Sequence, residues 1–143
     1  MLLKVALTHP SYNQGDTSLK DNQRLEFLGD SVLSMVISEK LYGDYPHANE
    51  GELTQKRSSL VCGATLVKIA KSIKLGDYIL MSKAEENSGG LLRDSTLEDA
   101  LEALVGAIYL DGGWRDVKYT ILRWTENLFS EVGVNNLKIN QKG

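Results

Sequence analysis

Apolar residues recur every three to four positions over most of this chain, the spacing that places them on one face of an α-helix. Pro10 and Pro46, the two prolines of the chain, both lie where this pattern is interrupted. Residues 78–81 form a short strand-like stretch without a partner, so no sheet is expected. The pattern therefore predicts an all-α fold. Six helices are expected, at about residues 2–8, 21–42, 50–61, 63–73, 95–110 and 114–130.

Residues with capping chemistry lie at several of the predicted helix ends. Asp21 or Asn22 is suited to cap the second helix, because its side-chain oxygen can accept a first-turn N–H. Ser95 and Glu98 have the S-x-x-E spacing of a capping box, which assigns Glu98 a structural role at the start of the fifth helix. The glycine pair at 112–113 separates the fifth helix from the last.

The composition indicates an ordinary folded domain. Of the 143 residues, 42% are hydrophobic and 24% are charged, which excludes an intrinsically disordered chain. No apolar run approaches the roughly 18 residues of a membrane span, and the N-terminus lacks a signal-peptide pattern. Cys62 is the only cysteine, which excludes an internal disulfide and a cysteine-rich zinc site and favours a reducing, cytoplasmic location.

The two ends are typical of one domain of a longer protein, and a naturally minimal chain is the alternative. The chain begins inside an apolar helical pattern, so its first helix is expected to be shortened. Residues 135–143 are a polar tail typical of the start of a linker, which leaves residues 1–134 as the predicted domain. Sixteen Lys and Arg against nineteen Asp and Glu give a formal charge of −3, which at first sight argues against a nucleic-acid partner.

Two carboxylates of the second predicted helix lie on its apolar side. Glu26 and Asp30 are four residues apart and therefore stack on one helix face. Leu33 and Ile37 fall within roughly 60° of Glu26 on that helix. An ionised carboxylate buried without a partner is costly, so these groups need a cation, a proton or hydrogen bonds.

The fifth predicted helix repeats the arrangement with Asp99 and Glu102, three residues apart. Gly29 and Gly106 carry no side chain at the point where the two helices would cross, so a close approach would bring four carboxylates together. Oxygen ligands of this kind suit Mg²⁺ or Mn²⁺. From the residues alone, a pair of solvated helix faces is an equally good interpretation.

The other candidates carry weaker signals. His9 is expected to be a structural hydrogen-bonding residue at a helix end, and Cys62 to be a core residue. Lys56 and Arg57 are either phosphate contacts or ordinary solvated side chains. No serine or cysteine has a recognisable base, so nucleophile-triad chemistry has no support.

The segment at residues 22–33, NQRLEFLGDSVL, resembles the signature of the ribonuclease III family, with Gln23 where bacterial members usually carry glutamate. Further landmarks of that family are matched in order and spacing at residues 7–12, 49–53, 88–90 and 98–107. The long signature is highly specific, whereas the shorter pieces count mainly through their order. The resemblance covers nearly the whole chain.

The resemblance implies a metal-dependent endonuclease domain that forms a symmetric homodimer. Its four core metal ligands correspond to Glu26, Asp30, Asp99 and Glu102, the same residues that the helix-face pattern selects. It further implies Mg²⁺ as the ion, with Mn²⁺ as a substitute, and no organic cofactor or membrane partner. Double-stranded RNA would be cut to 5′-phosphate products with short 3′ overhangs, in RNA processing such as rRNA maturation. Accessory positions of the family correspond to Gln23, Glu50 and Glu85.

Three points remain open from the sequence. Phe27, Leu28 and Met35 belong either to a partner surface or to the core. A catalytically silent RNA-binding or ribosome-associated module on the same fold is the alternative function, although such relatives typically lose metal carboxylates. A carboxylate-bridged di-iron bundle is a remote interpretation, because no Glu-x-x-His motif is present.

Setting aside the four proposed ligands changes the formal charge from −3 to +1, so the net acidity no longer excludes RNA as a partner.

Overall fold

The computed structural model describes residues 1–13, 16, 18 and 20–132. The predicted linker at residues 135–143 lies outside these residues. Within them the protein is helical, and the described part of the chain contains no strand beyond one isolated parallel bridge between Thr8 and Leu80. The prediction of an all-α fold is therefore confirmed. The α-helices are α1 (Leu2–Ala6), α2 (Gln23–Asp44), α3 (Glu50–Leu60), α4 (Gly63–Ser72), α5 (Lys83–Asn87) and α6 (Asp94–Val132).

The predicted boundary between the last two helices is confirmed. α6 (Asp94–Val132) consists of two helical segments that meet at a kink at Gly113, whose φ of 81° and ψ of −174° are not helical. A positive φ of this size is readily adopted only by glycine, which explains why the kink falls at this residue. The helical run therefore divides at the glycine pair, as the sequence predicted. The short helix α5 was not predicted, because five residues are too few to establish a periodicity.

The core forms where α2 and α6 pack along one another, with α4 against α6 on one side. The largest fully buried side chains of the core are aliphatic and come from α2 and α6. Burial of each such side chain contributes about 1.5–3 kcal/mol. They are Val36, Ile37, Leu101, Val105, Val117 and Ile121.

Two glycines allow α2 and α6 to approach closely. A Cβ atom on Gly29 would lie 1.6 Å from the backbone oxygen of Glu102, and one on Gly106 would lie 2.4 Å from the backbone oxygen of Leu25. Neither distance is compatible with a side chain, so glycine is required at both positions. The predicted close crossing is confirmed, and it places the first turns of α2 beside the first turns of α6.

The segment that precedes α2 is tied to the rest of the domain by backbone hydrogen bonds. The Asn22 amide donates to the Thr8 oxygen at 2.9 Å, and the His9 amide donates to the Leu80 oxygen at 2.8 Å. The Nδ1 atom of His9 accepts from the Ser11 amide at 3.1 Å and lies 2.8 Å from the Ser11 hydroxyl. The predicted structural role of His9 is confirmed.

Two expectations about single residues are wrong. Cys62 is exposed at the N-cap of α4, because the buried side of that helix begins only at Leu66. Ser95 lies inside the first turn of α6, which begins at Asp94, so it is not an N-cap residue. Glu98 does not serve the expected capping box, since its carboxylate lies against Gly63 of α4. Among the described residues, no helix has the length and apolar character needed to cross a membrane.

Candidate metal centre

Three carboxylates from two helices converge beside the glycine crossing. Glu26 comes from the first turn of α2, and Asp99 and Glu102 come from the beginning of α6. One oxygen atom from each lies within 4.8 Å of the others, close enough for all three to hold a single cation. The short separation of the two backbones at Gly29 and Gly106 brings these side chains together.

Asp30 joins this group through Glu102. The Asp30 carboxylate raises the pKa of Glu102, just as the Asp99 carboxylate raises the pKa of Glu26. Asp30 is exposed, whereas the Glu102 residue is only 8% exposed, so the group runs from the protein interior to the surface. Three of the four carboxylates selected from the sequence therefore converge, and the fourth, Asp30, acts on Glu102.

The surroundings of these carboxylates raise two of their pKa values. Burial, followed by the charge and hydrogen bond of Asp99, raises the pKa of Glu26 to about 7. Burial, followed by the hydrogen bond and charge of Asp30, raises the pKa of Glu102 to about 8. None of the ion pairs found among the described residues involves these four side chains. An all-oxygen, anionic and partly desolvated donor set without a basic partner fits a hard divalent cation.

A fifth acidic residue, Glu98, acts on the same group. Its charge contributes to the raised pKa of both Glu26 and Glu102. The sequence suggested a capping box instead, and that signal hid its place beside the cluster. Only the packing of α4 against α6 shows where its carboxylate lies.

The accessory acidic positions lie in other settings. Glu85 forms an ion pair with Arg93, which also donates to the Ser88 oxygen. Glu50 is exposed at the first residue of α3, and Gln23 is exposed at the first residue of α2. Neither Glu50 nor Glu85 is among the carboxylates that raise the pKa of Glu26 or Glu102.

The two candidate basic contacts are engaged within the protein. The Nζ atom of Lys56 lies 4.3 Å from the centre of the Tyr45 ring. The Nη1 atom of Arg57 donates to the Ser38 hydroxyl at 2.9 Å, which fastens α3 to α2. Arg57 also lines an open cavity of about 370 Å³ between these helices.

One face of α2 presents large apolar side chains to solvent. Phe27 is 80% exposed, Met35 is 57% exposed and Tyr42 is 77% exposed. Their spacing of eight and seven residues keeps them within roughly 80° on the helix, so they form one stripe. Leu28, in contrast, packs against the core. We call Phe27, Met35 and Tyr42 the exposed α2 stripe.

The protein is an all-α domain in which two long helices cross at glycines and contribute carboxylates to one cluster that could hold a metal ion. Residues 1–128 match the family described as Ribonuclease-III-like, and the chain belongs to the ribonuclease III family. It is 51% identical over 130 residues to ribonuclease 3 of Syntrophomonas wolfei, covering 91% of this chain and 56% of the relative. It is also 51% identical over 126 residues to ribonuclease 3 of Ehrlichia ruminantium strain Welgevonden, covering 88% of this chain and 56% of the relative.

A solved structure agrees with this assignment. The nuclease domain of ribonuclease III from Campylobacter jejuni superimposes with a TM-score of 0.85 at 46% identity, covering 90% of this chain and 87% of that one. That structure concerns flexibility in a region involved in dimer formation of the Campylobacter domain. The present chain thus spans most of a nuclease domain and a little more than half the length of the curated relatives it matches.

Proposed function

We propose that this chain is the catalytic domain of an endoribonuclease that hydrolyses phosphodiester bonds of double-stranded RNA with Mg²⁺. The observation that carries the proposal is the convergence of three carboxylates, with Asp30 acting on one of them, at the glycine crossing of α2 and α6 in a member of the ribonuclease III family. Mn²⁺ has the same preference for oxygen ligands and is expected to substitute. Products with 5′-phosphates and short 3′ overhangs are part of the proposal, as is a role in RNA processing.

The four carboxylates would divide the work of holding the ion. Glu102, buried and contacted by Asp30, supplies the inner part of the site. Glu26 of α2 and Asp99 of α6 would each contribute an oxygen ligand from their own helix. Asp30 is exposed and stands on the side open to a phosphate. When bound, Mg²⁺ would lower the pKa of the water molecule that attacks the phosphate in line, and it would stabilise negative charge on the phosphate and on the leaving oxygen.

Selection of RNA would rest on shape. The A-form duplex has a deep, narrow major groove that side chains do not read, so 2′-hydroxyls and the phosphate backbone are the available features. With the carboxylates neutralised by the cation, the formal charge of the rest of the chain no longer repels a polyanion. We therefore expect weak binding of RNA in the absence of divalent ions.

We further propose that two copies of the chain associate through the exposed α2 stripe. An antiparallel pair of α2 helices centred near Met35 would place Phe27 of one copy opposite Tyr42 of the other. This arrangement removes three large apolar side chains per copy from water, which is the main driving force for association. Each copy would then cut one strand of a duplex that lies across both sites.

The experiment is cleavage of a long RNA duplex by the wild type and by Asp30→Asn, with Mg²⁺, with Mn²⁺ and with a chelator. Asp44→Asn is the matched control, because it makes the same change on the same helix at an exposed residue paired with Lys40. We expect duplex RNA but not single-stranded RNA to be cut only with divalent ions, and Asp30→Asn to lose activity by about 100-fold or more. Equal cleavage by the wild type and Asp30→Asn would contradict the proposed site. Metal-independent binding without cleavage would favour the silent RNA-binding module.

A further inference from the structure

The carboxylate of Glu98 rests on a position where any residue other than glycine would collide with it. A Cβ atom on Gly63 would lie 2.9 Å from Oε2 of Glu98, 3.3 Å from its Cδ and 3.4 Å from its Oε1. Both oxygens and the carboxyl carbon therefore lie over the backbone of Gly63. Because Gly63 is the first residue of α4 and Glu98 belongs to α6, this contact joins the starts of two helices.

The N-terminus of α4 has no negative charge of its own. Its first turn contains no acidic residue, and the side chain of its N-cap residue, Cys62, makes no capping hydrogen bond. The unpaired N–H groups and the dipole of a helix favour an anion at this end. Glu98 supplies that anion from α6, so the contact is electrostatically favourable as well as closely packed.

The same residue is adjacent to the metal cluster. Glu98 immediately precedes Asp99 and lies one helical turn before Glu102. Its charge also contributes to the raised pKa of Glu26 on the other helix.

We propose that Glu98 is a positioning residue of the metal centre: its carboxylate, seated on Gly63 at the start of α4, holds the first turns of α6 so that Asp99 and Glu102 face Glu26. The proposal rests on the proposed function in one respect, namely that the cluster binds a divalent cation. Glu98 itself is not among the carboxylates whose oxygens converge, and its carboxylate lies against Gly63 instead.

The test is the affinity for Mn²⁺ without RNA, measured from the signal of free Mn²⁺ in electron paramagnetic resonance. Gly63→Ala is an informative variant, because its methyl group displaces only the end of a flexible side chain and leaves the charge of Glu98 unchanged. We expect Glu98→Ala and Gly63→Ala each to weaken Mn²⁺ binding about tenfold. The double variant is expected to bind Mn²⁺ no more weakly than Glu98→Ala alone, since both changes remove the same contact. Glu126→Ala, an exposed acidic residue near the other end of α6, is the matched control and is expected to bind like the wild type.

Two results would overturn the proposal. If Glu98→Ala binds as poorly as Asp99→Asn while Gly63→Ala binds normally, Glu98 is a direct ligand. If Glu98→Gln weakens binding as much as Glu98→Ala and Gly63→Ala has no effect, only the charge of Glu98 matters.

A second readout does not depend on the metal. Hydrogen exchange of the Thr65 and Leu66 amides in the metal-free protein is expected to be about two- to fivefold faster in Glu98→Ala, because the start of α4 loses its anion. Absence of Mn²⁺ binding by the wild type would refute the proposed function, whereas unchanged exchange at α4 would refute the seating of Glu98. The two failures are therefore distinguishable.

Discussion

The glycine crossing makes a quantitative prediction about Gly29→Ala. The added Cβ would lie 1.6 Å from the Glu102 backbone oxygen, and such contacts are essentially never shorter than 3.0 Å in real structures. α2 and α6 must therefore separate by about 1.4 Å at this point, which moves the carboxylates of one helix away from those of the other. Insertion of excess atoms into a packed site typically costs about 1–3 kcal/mol, and backbone atoms yield less than side chains. We therefore expect Gly29→Ala to lower the free energy of unfolding by about 3 kcal/mol or more.

Three glycine-to-alanine variants separate the cost of the clash from the gain in helix propensity that each such change brings. Gly43 lies in the same helix with nothing within 4 Å of its would-be Cβ, so Gly43→Ala is expected to stabilise the protein by about 0.5–1 kcal/mol. Gly106→Ala, with its Cβ 2.4 Å from the Leu25 oxygen, needs a shift of about 0.6 Å and should be intermediate. From the most to the least stable, the expected order is thus Gly43→Ala, wild type, Gly106→Ala and Gly29→Ala.

The assay is urea unfolding of the metal-free protein, followed by Mn²⁺ titration of every variant that folds. Gly106→Ala is expected to fold and to bind Mn²⁺ at least about tenfold more weakly than the wild type. The reasoning fails if Gly29→Ala is as stable as Gly43→Ala. It also fails if Gly106→Ala binds Mn²⁺ with wild-type affinity, because the separation of the helices would then not control the cluster.

Three further predictions follow from the site and the surface. Because the pKa values of Glu26 and Glu102 are raised to about 7 and about 8 from 4.5, the folded metal-free protein holds more protons than the unfolded chain between about pH 4.5 and 8. Its free energy of unfolding should therefore fall as pH rises through this window, by about 4 kcal/mol at most from Glu102, and a saturating concentration of Mg²⁺ at pH 8 should restore stability. Urea midpoints that are equal at pH 5 and pH 8 would contradict this. Phe27→Ser is expected to shift sedimentation at micromolar concentration towards monomer while Tyr78→Ser, at an exposed tyrosine, does not; a wild type that is already monomeric would exclude the proposed dimer. Cys62, whose thiol pKa is lowered chiefly by its hydrogen bond with the Thr65 side chain, should react with a thiol reagent in the native protein, and a need for denaturant would show that it is buried.

The pairing of Glu85 with Arg93 illustrates what a sequence pattern cannot show. The family resemblance placed Glu85 among the accessory acidic positions, but eight residues further along the chain Arg93 turns back to neutralise it. That return depends on the turn at Gly89, where φ is 90°. An ion pair across an irregular turn follows from the path of the backbone, which residue types alone do not specify.

Helical periodicity in the sequence determined the all-α fold and the position of most helices, and it selected the three carboxylates that converge, Glu26, Asp99 and Glu102. These features are local: spacing along one helix decides which side chains share a face, and a glycine can be recognised as room for a close approach. The tertiary structure alone decided how near α2 and α6 come, the exposure of Cys62 and the contact of Glu98 with α4. Each of these depends on contacts between helices that are distant in the chain, and such contacts are set by how the helices pack against one another.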